Sequence, residues 1–157
     1  RLSDQVVDDI VSEALRHIDR RSAEHHIAVN CGDVPLLVRV DAGLIMQVLI
    51  NLVNNAVKYT PAGSNIRITA IRRGNAAEIC VSDNGPGIPD ELKEHVFEMF
   101  FTGGNPIGDS RRSLGLGLTL CQAILHAHNG EMTLKDNSPH GCIFSFTVPL
   151  SEVNLNE

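Results

Sequence analysis

The segment from Asp41 to Tyr59 most strongly limits the folds open to this chain. Its apolar residues recur at helical spacing, Asp41 is a suitable N-cap, and a Thr-Pro-Ala-Gly breaker at Thr60–Gly63 ends the pattern. Stretches with the alternation typical of strands lie on both sides of this segment. A long helix interleaved with strands indicates an α/β fold.

Shorter patterns predict three more helices and six strands. The helices are Gln5 to about Arg20, Asp90 to about Val96, and Leu116–His128. The strands are His25–Asn30 and Leu36–Val40 around a Gly32-Asp33 turn, Asn65–Arg72, Ala76–Ser82, Glu131–Lys135 and Cys142–Val148. Hairpins, such as the one at Arg73-Gly74-Asn75, exclude a purely parallel sheet. We therefore predict a two-layer α/β sandwich with a mixed, mostly antiparallel sheet.

Length and composition favour one soluble domain over residues 1–157. The 157 residues are 43% hydrophobic and carry a net charge of -6, which argues against nucleic-acid binding. The four cysteines lie far apart with no CxxC pair, so we expect buried, reduced thiols and a cytoplasmic setting. Neither a signal peptide nor a bilayer-spanning stretch is present, and the start at Arg1 is typical of a piece of a longer protein.

A helical wheel divides the long helix into a core stripe and a polar edge. At about 100° per residue, one stripe collects five apolar residues: Ile45, Val48, Leu49, Leu52 and Ala56. Asn51, Asn55 and Lys58 then lie within roughly 60° of one another along the border of that stripe. Asn54 falls on the outer side with Gln47, so the wheel selects Asn55 as the partner of Asn51.

Two amides and an ammonium group on one helix edge suit a magnesium-bound phosphate ligand. An amide oxygen can complete the octahedral shell of Mg²⁺, and Lys58 can meet the phosphates as a point charge. Tyr59 can cover a flat ring. The alternative is a solvated helix edge whose C-terminal lysine is favoured by the helix dipole.

Two glycine-containing loops extend this hypothesis. Residues 83–89, Asp-Asn-Gly-Pro-Gly-Ile-Pro, follow a strand directly, so Asp83 can accept a hydrogen bond from an exocyclic amine such as that of adenine. Residues 115–118, Gly-Leu-Gly-Leu, are expected at a helix start, where bare amides and the positive dipole end hold phosphate. The alternatives are a tight strand-to-helix connection and an ordinary glycine-rich helix start.

In order, these motifs resemble those of one known family. Asn51 to Pro61, Asp83 to Ile88, Phe97 to Phe101 and Gly115 to Leu118 are similar to the N, G1, F and G2 boxes of the catalytic ATP-binding domain of sensor histidine kinases. That domain shares the Bergerat fold with gyrase, Hsp90 and MutL. The resemblance covers nearly the whole chain. Taken as a whole, the sequence is similar to potassium-responsive sensor kinases of the Kdp type.

The resemblance implies a role for each matching residue. Asn55 would carry Mg²⁺, Asn51 would order phosphate or water, Lys58 would contact phosphate and Tyr59 would line the adenine. Asp83 would read the adenine amino group. The remaining nucleotide-binding positions implied by the family are Gly85, Gly87, Ile88, Gly115, Leu116, Gly117 and Leu118. Residues 102–114 would form the ATP lid, and residues 151–157 a tail.

Some positions depart from the family pattern. Hydrolytic relatives have a glutamate where this chain has Asn51, which cannot act as a general base, so the resemblance implies ATP held for transfer. Thr102 stands where many kinases have an arginine that reaches the γ-phosphate, and Arg111 or Arg112 is a candidate substitute. Asn129 replaces the middle glycine of His-Gly-Gly, which asparagine tolerates because it accepts positive φ.

No acceptor-like segment surrounds any of the seven histidines. The resemblance therefore implies phosphorylation of a histidine on a separate dimerisation and acceptor domain, followed by relay to a response-regulator aspartate. It further implies a monomeric isolated domain within a homodimeric, inner-membrane sensor protein. The alternatives are a serine kinase of the same superfamily, a conformational ATPase, and a module that binds ATP or a partner without transferring phosphate.

Overall fold

A computed structural model of the chain describes residues 1–18, 20–97 and 109–152, with only the backbone described at 20, 21 and 109–116. The helices are α1 (Val7–Leu15), α2 (Ala42–Tyr59), α3 (Asp90–Lys93) and α4 (Asp109–Ala127), with a 3-10 turn at Arg20–Glu24. The strands are β1 (Ser3–Val6), β2 (His26–Asn30), β3 (Leu37–Val40), β4 (Asn65–Arg73), β5 (Ala76–Asp83), β6 (Met132–Asp136) and β7 (Cys142–Pro149).

Five strands form one mixed sheet in the order β2-β4-β5-β7-β6. The pairings β4–β5, β5–β7 and β6–β7 are antiparallel, and β2 runs parallel to β4. Side chains on β4 and β5 alternate between buried and more exposed positions, as expected for a sheet with one face against the core. The predicted α/β sandwich with a mixed, mostly antiparallel sheet is confirmed.

The prediction that His25–Asn30 and Leu36–Val40 surround one turn is wrong as a pairing. β3 pairs with β1 in a separate two-stranded sheet, whereas β2 joins the edge of the main sheet beside β4. The predicted start of the first helix at Gln5 is also wrong, because residues 3–6 pair with β3 and the helix begins at Val7. Long-range pairing decided both points.

Helix α2 lies at the centre of the core. Asp41 caps it as predicted, since its Oδ1 accepts the Leu44 N–H at 3.1 Å. All five stripe residues are buried, and Val53 and Val57 are buried with them. The buried face is wider than predicted because α1 and α4 contact this helix in addition to the sheet.

Helix α4 begins earlier than the sequence pattern predicted. The expected loop over residues 102–114 overlaps it, since residues 109–114 are helical; residues 102–108 lie outside the described part of the chain. The expected helix start at Gly115–Leu118 is therefore wrong, because these residues lie inside α4. Backbone N–H groups inside a helix donate to carbonyl oxygens of the preceding turn. Helix α3 is also shorter than predicted and ends at Lys93.

Two local turn predictions are confirmed. β4 and β5 join through Gly74 and Asn75, with Gly74 at a φ of 62°. Asn129 has a φ of 59° after α4, the conformation that asparagine tolerates where the family pattern has glycine. Within the described residues, no helix combines the length and apolar character needed to cross a bilayer.

Candidate functional site

Asp83 ends strand β5 and provides the site's buried carboxylate. Among the described residues it is the only buried acidic side chain, with 8% of its surface exposed. Its Oδ1 accepts the backbone N–H groups of Gly85 at 2.9 Å and Cys142 at 3.3 Å. No described group donates to Oδ2. One oxygen is thus held by the backbone, and the other keeps its capacity to accept a hydrogen bond.

The environment of Asp83 changes its acidity. Burial raises the pKa of this carboxyl group above its ordinary value, and the N–H groups of Gly85 and Cys142 offset only part of that rise. Because the cost of burying the charge is only partly offset, a further hydrogen-bond donor to this carboxylate would stabilise its ionised form. The arrangement suits a ligand that directs a neutral N–H donor at Oδ2.

Gly85 brings the loop after β5 against the C-terminal end of α2. A Cβ atom at this position would lie 2.5 Å from Thr60 Cγ2 and 3.2 Å from Asp83 Oδ1. Only a glycine fits without displacing Thr60, which follows Tyr59 directly. Ile88, further along the same loop, is half-buried and packs against the core. The structure thus joins two of the predicted motifs.

The polar edge of α2 is half-buried at all four predicted positions: Asn51, Asn55, Lys58 and Tyr59. The Nδ2 atom of Asn55 is buried and has no hydrogen-bond partner among the described residues. Because buried polar groups are normally paired, this amide has capacity that the described protein atoms do not use. The two ends of an amide exchange places on rotation, so the same position can present an oxygen.

Asn55 therefore fits the requirement for a magnesium ligand. Mg²⁺ takes one or two protein oxygens and completes its shell with phosphate oxygens and water. A buried amide with unused hydrogen-bonding capacity, one turn from the cation Lys58, agrees with that donor set. The residues present are compatible with a magnesium-bound nucleotide.

Asn51 lies where α2 meets α4. A Cβ atom on Gly117 would be 3.7 Å from the Asn51 side-chain amide, an ordinary contact distance. Leu118 is fully buried beside it in sequence. The structure thus brings Gly117 to the asparagine edge, although inside a helix. The side chains of Leu116, Arg111 and Arg112 lie outside the description.

Three neighbours of the predicted site were not identified from the sequence. Gln47 Nε2 donates to Asn51 Oδ1 at 3.1 Å, a contact that the i,i+4 spacing could have indicated. Asn51 Nδ2 lies 3.6 Å from the Sγ of Cys121, and no sequence pattern predicts that contact. The Thr60 hydroxyl donates to the Ala56 carbonyl oxygen, so it accepts the hydrogen bond from His25 Nε2, which lies 2.9 Å away.

Comparison with known proteins supports a family assignment. The family model described as "Histidine kinase-, DNA gyrase B-, and HSP90-like ATPase" matches residues 40–152. The sensor protein KdpD of Clostridium acetobutylicum is 37% identical over 145 residues, covering 92% of this chain and 16% of that protein. The adaptive-response sensory kinase SasA of Microcystis aeruginosa is 40% identical over 114 residues, covering 72% of this chain and 29% of its own length.

Solved structures agree with the sequence comparisons. The nucleotide-free catalytic domain of histidine kinase ThkA superimposes with a TM-score of 0.82 at 29% identity, covering 95% of both chains. The mycobacterial sensor histidine kinase MprB shares the fold, with a TM-score of 0.82 at 23% identity over 98% of this chain and all of that one. This chain spans less than a third of the length of these two curated relatives. It belongs to the histidine kinase-, DNA gyrase B- and HSP90-like ATPase family, and its relatives include catalytic domains of sensor histidine kinases.

Proposed function

We propose that this chain binds MgATP and donates the γ-phosphate to a histidine on a separate dimerisation and acceptor domain of the same sensor kinase. The observation that carries the proposal is the buried Asp83, held through one oxygen by two backbone amides. Adenine offers an exocyclic amine to the other oxygen, and guanine offers a carbonyl oxygen at the matching position. The site would therefore select ATP by charge and hydrogen bonding.

The phosphate end would lie along α2. Asn55 would hold Mg²⁺, whose charge would offset that of the phosphates, and Lys58 would contact the phosphates directly. Asn51 would order phosphate or water, and Tyr59 would line the adenine. Gly87 and Ile88 would shape the base end. Gly115 to Leu118 would approach the phosphates once the start of α4 rearranged, and Arg111 and Arg112 are candidate contacts from the lid.

Transfer would follow from positioning more than from covalent assistance. The acceptor imidazole nitrogen would form a bond to the γ-phosphorus as the bond to the β,γ-bridging oxygen breaks, and ADP would leave. Asn51 stands where a glutamate base would activate water, so the site would preserve ATP for the acceptor.

The wider setting rests on the named relatives. Both curated relatives are named as sensor proteins or sensory kinases, and ThkA has been solved in complex with the response regulator TrrA, with a TM-score of 0.79 at 28% identity. We infer that this chain is one catalytic domain of a homodimeric sensor protein anchored in the inner membrane. Its phosphohistidine would supply a response regulator.

The experiment that tests this function mixes the chain, MgATP and the parent kinase's acceptor domain. We expect acid-labile phosphate on the acceptor histidine. Asp83→Asn should weaken ATP binding about 10- to 100-fold, because it removes a hydrogen bond to a charged group. Asn55→Asp should change the magnesium dependence of binding, measured by calorimetry over a series of Mg²⁺ concentrations.

Matched variants separate the site from its surroundings. Asp9→Asn neutralises an exposed carboxylate on α1, and Asn54→Asp changes the amide next to Asn55; both should bind ATP as the wild type does. Acid-stable phosphoserine would instead indicate a serine kinase. Steady phosphate release without acceptor would indicate an ATPase. Unchanged nucleotide affinity in both site variants would contradict the site assignment.

A further inference from the structure

The turn between β6 and β7, residues 137–141, lies directly against the loop that carries Asp83. Asn137 Nδ2 donates to the Asp83 carbonyl oxygen at 2.8 Å. His140 donates from Nδ1 to the Gly85 carbonyl oxygen at 2.9 Å. Two side chains of one turn thus hold the backbone on both sides of Asn84, the residue between the site's carboxylate and its glycine.

Gly141 makes this close approach possible. A Cβ atom there would lie 2.0 Å from the Asp83 carbonyl oxygen, and the residue has a φ of 112°, which other residues rarely adopt. Gly87 faces it from the other loop, where an added Cβ would lie 3.4 Å from the Gly141 carbonyl oxygen. The two backbones therefore pack with almost no intervening side chain.

The contacts from the turn to Asp83 lie just beyond the end of the pairing between β5 and β7. The β5–β7 ladder ends at the Ser82–Ile143 pair, so Asp83 is paired on its β4 side but lies one residue beyond the ladder with β7. Beyond that pair, the turn and the first residue of β7 supply the contacts. Asn137 holds the Asp83 carbonyl and the Cys142 N–H holds the carboxylate, at 2.8 and 3.3 Å.

A salt bridge also links α3, which follows the Asp83 loop, to the end of β6. Lys93 Nζ lies 2.9 Å from Asp136 Oδ1 and also pairs with Asp90, which begins α3. Asp136 ends β6, immediately before Asn137. The β6–β7 turn thus contacts the start of the loop from Asp83 to Asp90, and the helix that follows the loop pairs with the end of β6.

We propose that Asn137 and His140 are positioning residues that set the base selectivity of the site by holding Asp83 in place. This inference rests on the proposed function, since it assigns Asp83 to the recognition of an adenine amine. The described hydrogen bonds of both side chains go to the backbone, at the Asp83 and Gly85 carbonyl oxygens. Each acts through the backbone of the loop that carries the Asp83 carboxylate.

The test compares ATP with inosine triphosphate (ITP), which carries a carbonyl oxygen in place of the amine. Calorimetry with the full chain and Mg²⁺ should show that the wild type prefers ATP. Asn137→Ala and His140→Ala should each reduce the ATP-to-ITP preference about threefold to tenfold, the range for losing one neutral hydrogen bond, chiefly by weakening ATP. His140→Asn should restore the preference, because its Nδ2 occupies a position similar to that of the histidine Nδ1.

Controls distinguish positioning from general weakening. Ser138→Ala removes an exposed hydroxyl from the same turn and should leave the preference unchanged. In an Asp83→Asn background, Asn137→Ala should have no further effect on the ratio, since the group through which it acts is gone. Equal weakening of both nucleotides, or an unchanged ratio, in Asn137→Ala and His140→Ala would overturn the inference alone. Two outcomes would overturn both the assignment of Asp83 and the inference. In the first, the wild type shows no preference for ATP; in the second, the Asp83→Asn variant keeps the wild-type preference.

Discussion

At the scale of single residues, solvent exposure separates Asp83 from the surface carboxylates. Burial raises its pKa, whereas the pKa of Asp90 is lowered by its hydrogen bond and charge interaction with Lys93. The pKa of Asp4 is lowered in the same sense, chiefly by a hydrogen bond from Ser151. Ionised Asp83 thus lowers the free energy of unfolding, whereas the ionised surface carboxylates raise it slightly.

This difference predicts opposite pH dependences for two asparagine variants. For Asp83 the folded state binds the proton more tightly, so its contribution to unfolding free energy falls as pH rises from 3.8 through the raised pKa. Wild type should therefore lose stability relative to Asp83→Asn over that window. Relative to Asp90→Asn it should gain stability at lower pH, as the pH rises through the lowered pKa of Asp90 towards 3.8. Urea unfolding over a pH series that starts about one unit below 3.8 and ends near 7 measures both differences. A flat difference for Asp83→Asn would contradict the burial argument.

At the scale of elements, the ends of α2 and α4 are joined by a buried histidine. His128 donates from Nδ1 to the Ile124 carbonyl oxygen at 2.7 Å, and its Nε2 accepts the Asp41 N–H at 3.1 Å. The C-terminal turn of α4 is thereby fixed to the N-cap of α2. Gly130 lies two residues after His128, and its N–H donates to the Leu125 carbonyl oxygen at 2.7 Å.

Two glycine-to-alanine changes at helix boundaries should have opposite effects. A Cβ on Gly130 would lie 1.9 Å from the Thr147 carbonyl oxygen, so Gly130→Ala should destabilise the fold by about 1 to 3 kcal/mol or more. Gly43 lies exposed in the first turn of α2, where its nearest contact would be 3.5 Å away. Gly43→Ala should stabilise the protein by roughly 0.5 to 1 kcal/mol.

Thermal and urea unfolding of both variants measure these changes. The φ of Gly43 is not in the left-handed region, so its alanine variant isolates helix propensity from steric overlap. Equal stabilities of the two variants would show that β7 can move away from α4 without cost, contrary to the packing described.

At the scale of the whole molecule, the thiols report on the integrity of the core. All four cysteines are free, and Cys31, Cys121 and Cys142 are buried. Burial raises the pKa of both the Cys121 and the Cys142 thiol to about 11. At pH 8 roughly one in a thousand of such groups is ionised, so their reaction requires the fold to open.

We therefore expect Cys121 and Cys142 to react with a disulfide reagent such as dithionitrobenzoate only as the protein unfolds. Mass spectrometry of labelled peptides across a urea series should give midpoints equal to that of global unfolding. Cys80, which is partly exposed on the sheet, provides the native-state comparison, and Cys80→Ser removes it. Fast labelling of either buried cysteine in the native protein would show local opening around the site.

Local chemistry accounts for the features that could be predicted from amino-acid order. The periodicity and N-cap of α2, the Gly74 hairpin, the positive φ of Asn129 and the grouping of Asn51 with Asn55 all depend on neighbours a few residues away. Such neighbours are visible in sequence because helical and strand periods, capping and turn conformations are short-range properties.

Tertiary structure decided the features that depend on distant segments. The pairing of β2 with β4, the burial of Asp83 and the support it receives from the β6–β7 turn join residues far apart in the chain. Their energies come from removing groups from water and from satisfying buried backbone polar groups, and both quantities exist only once the segments have packed.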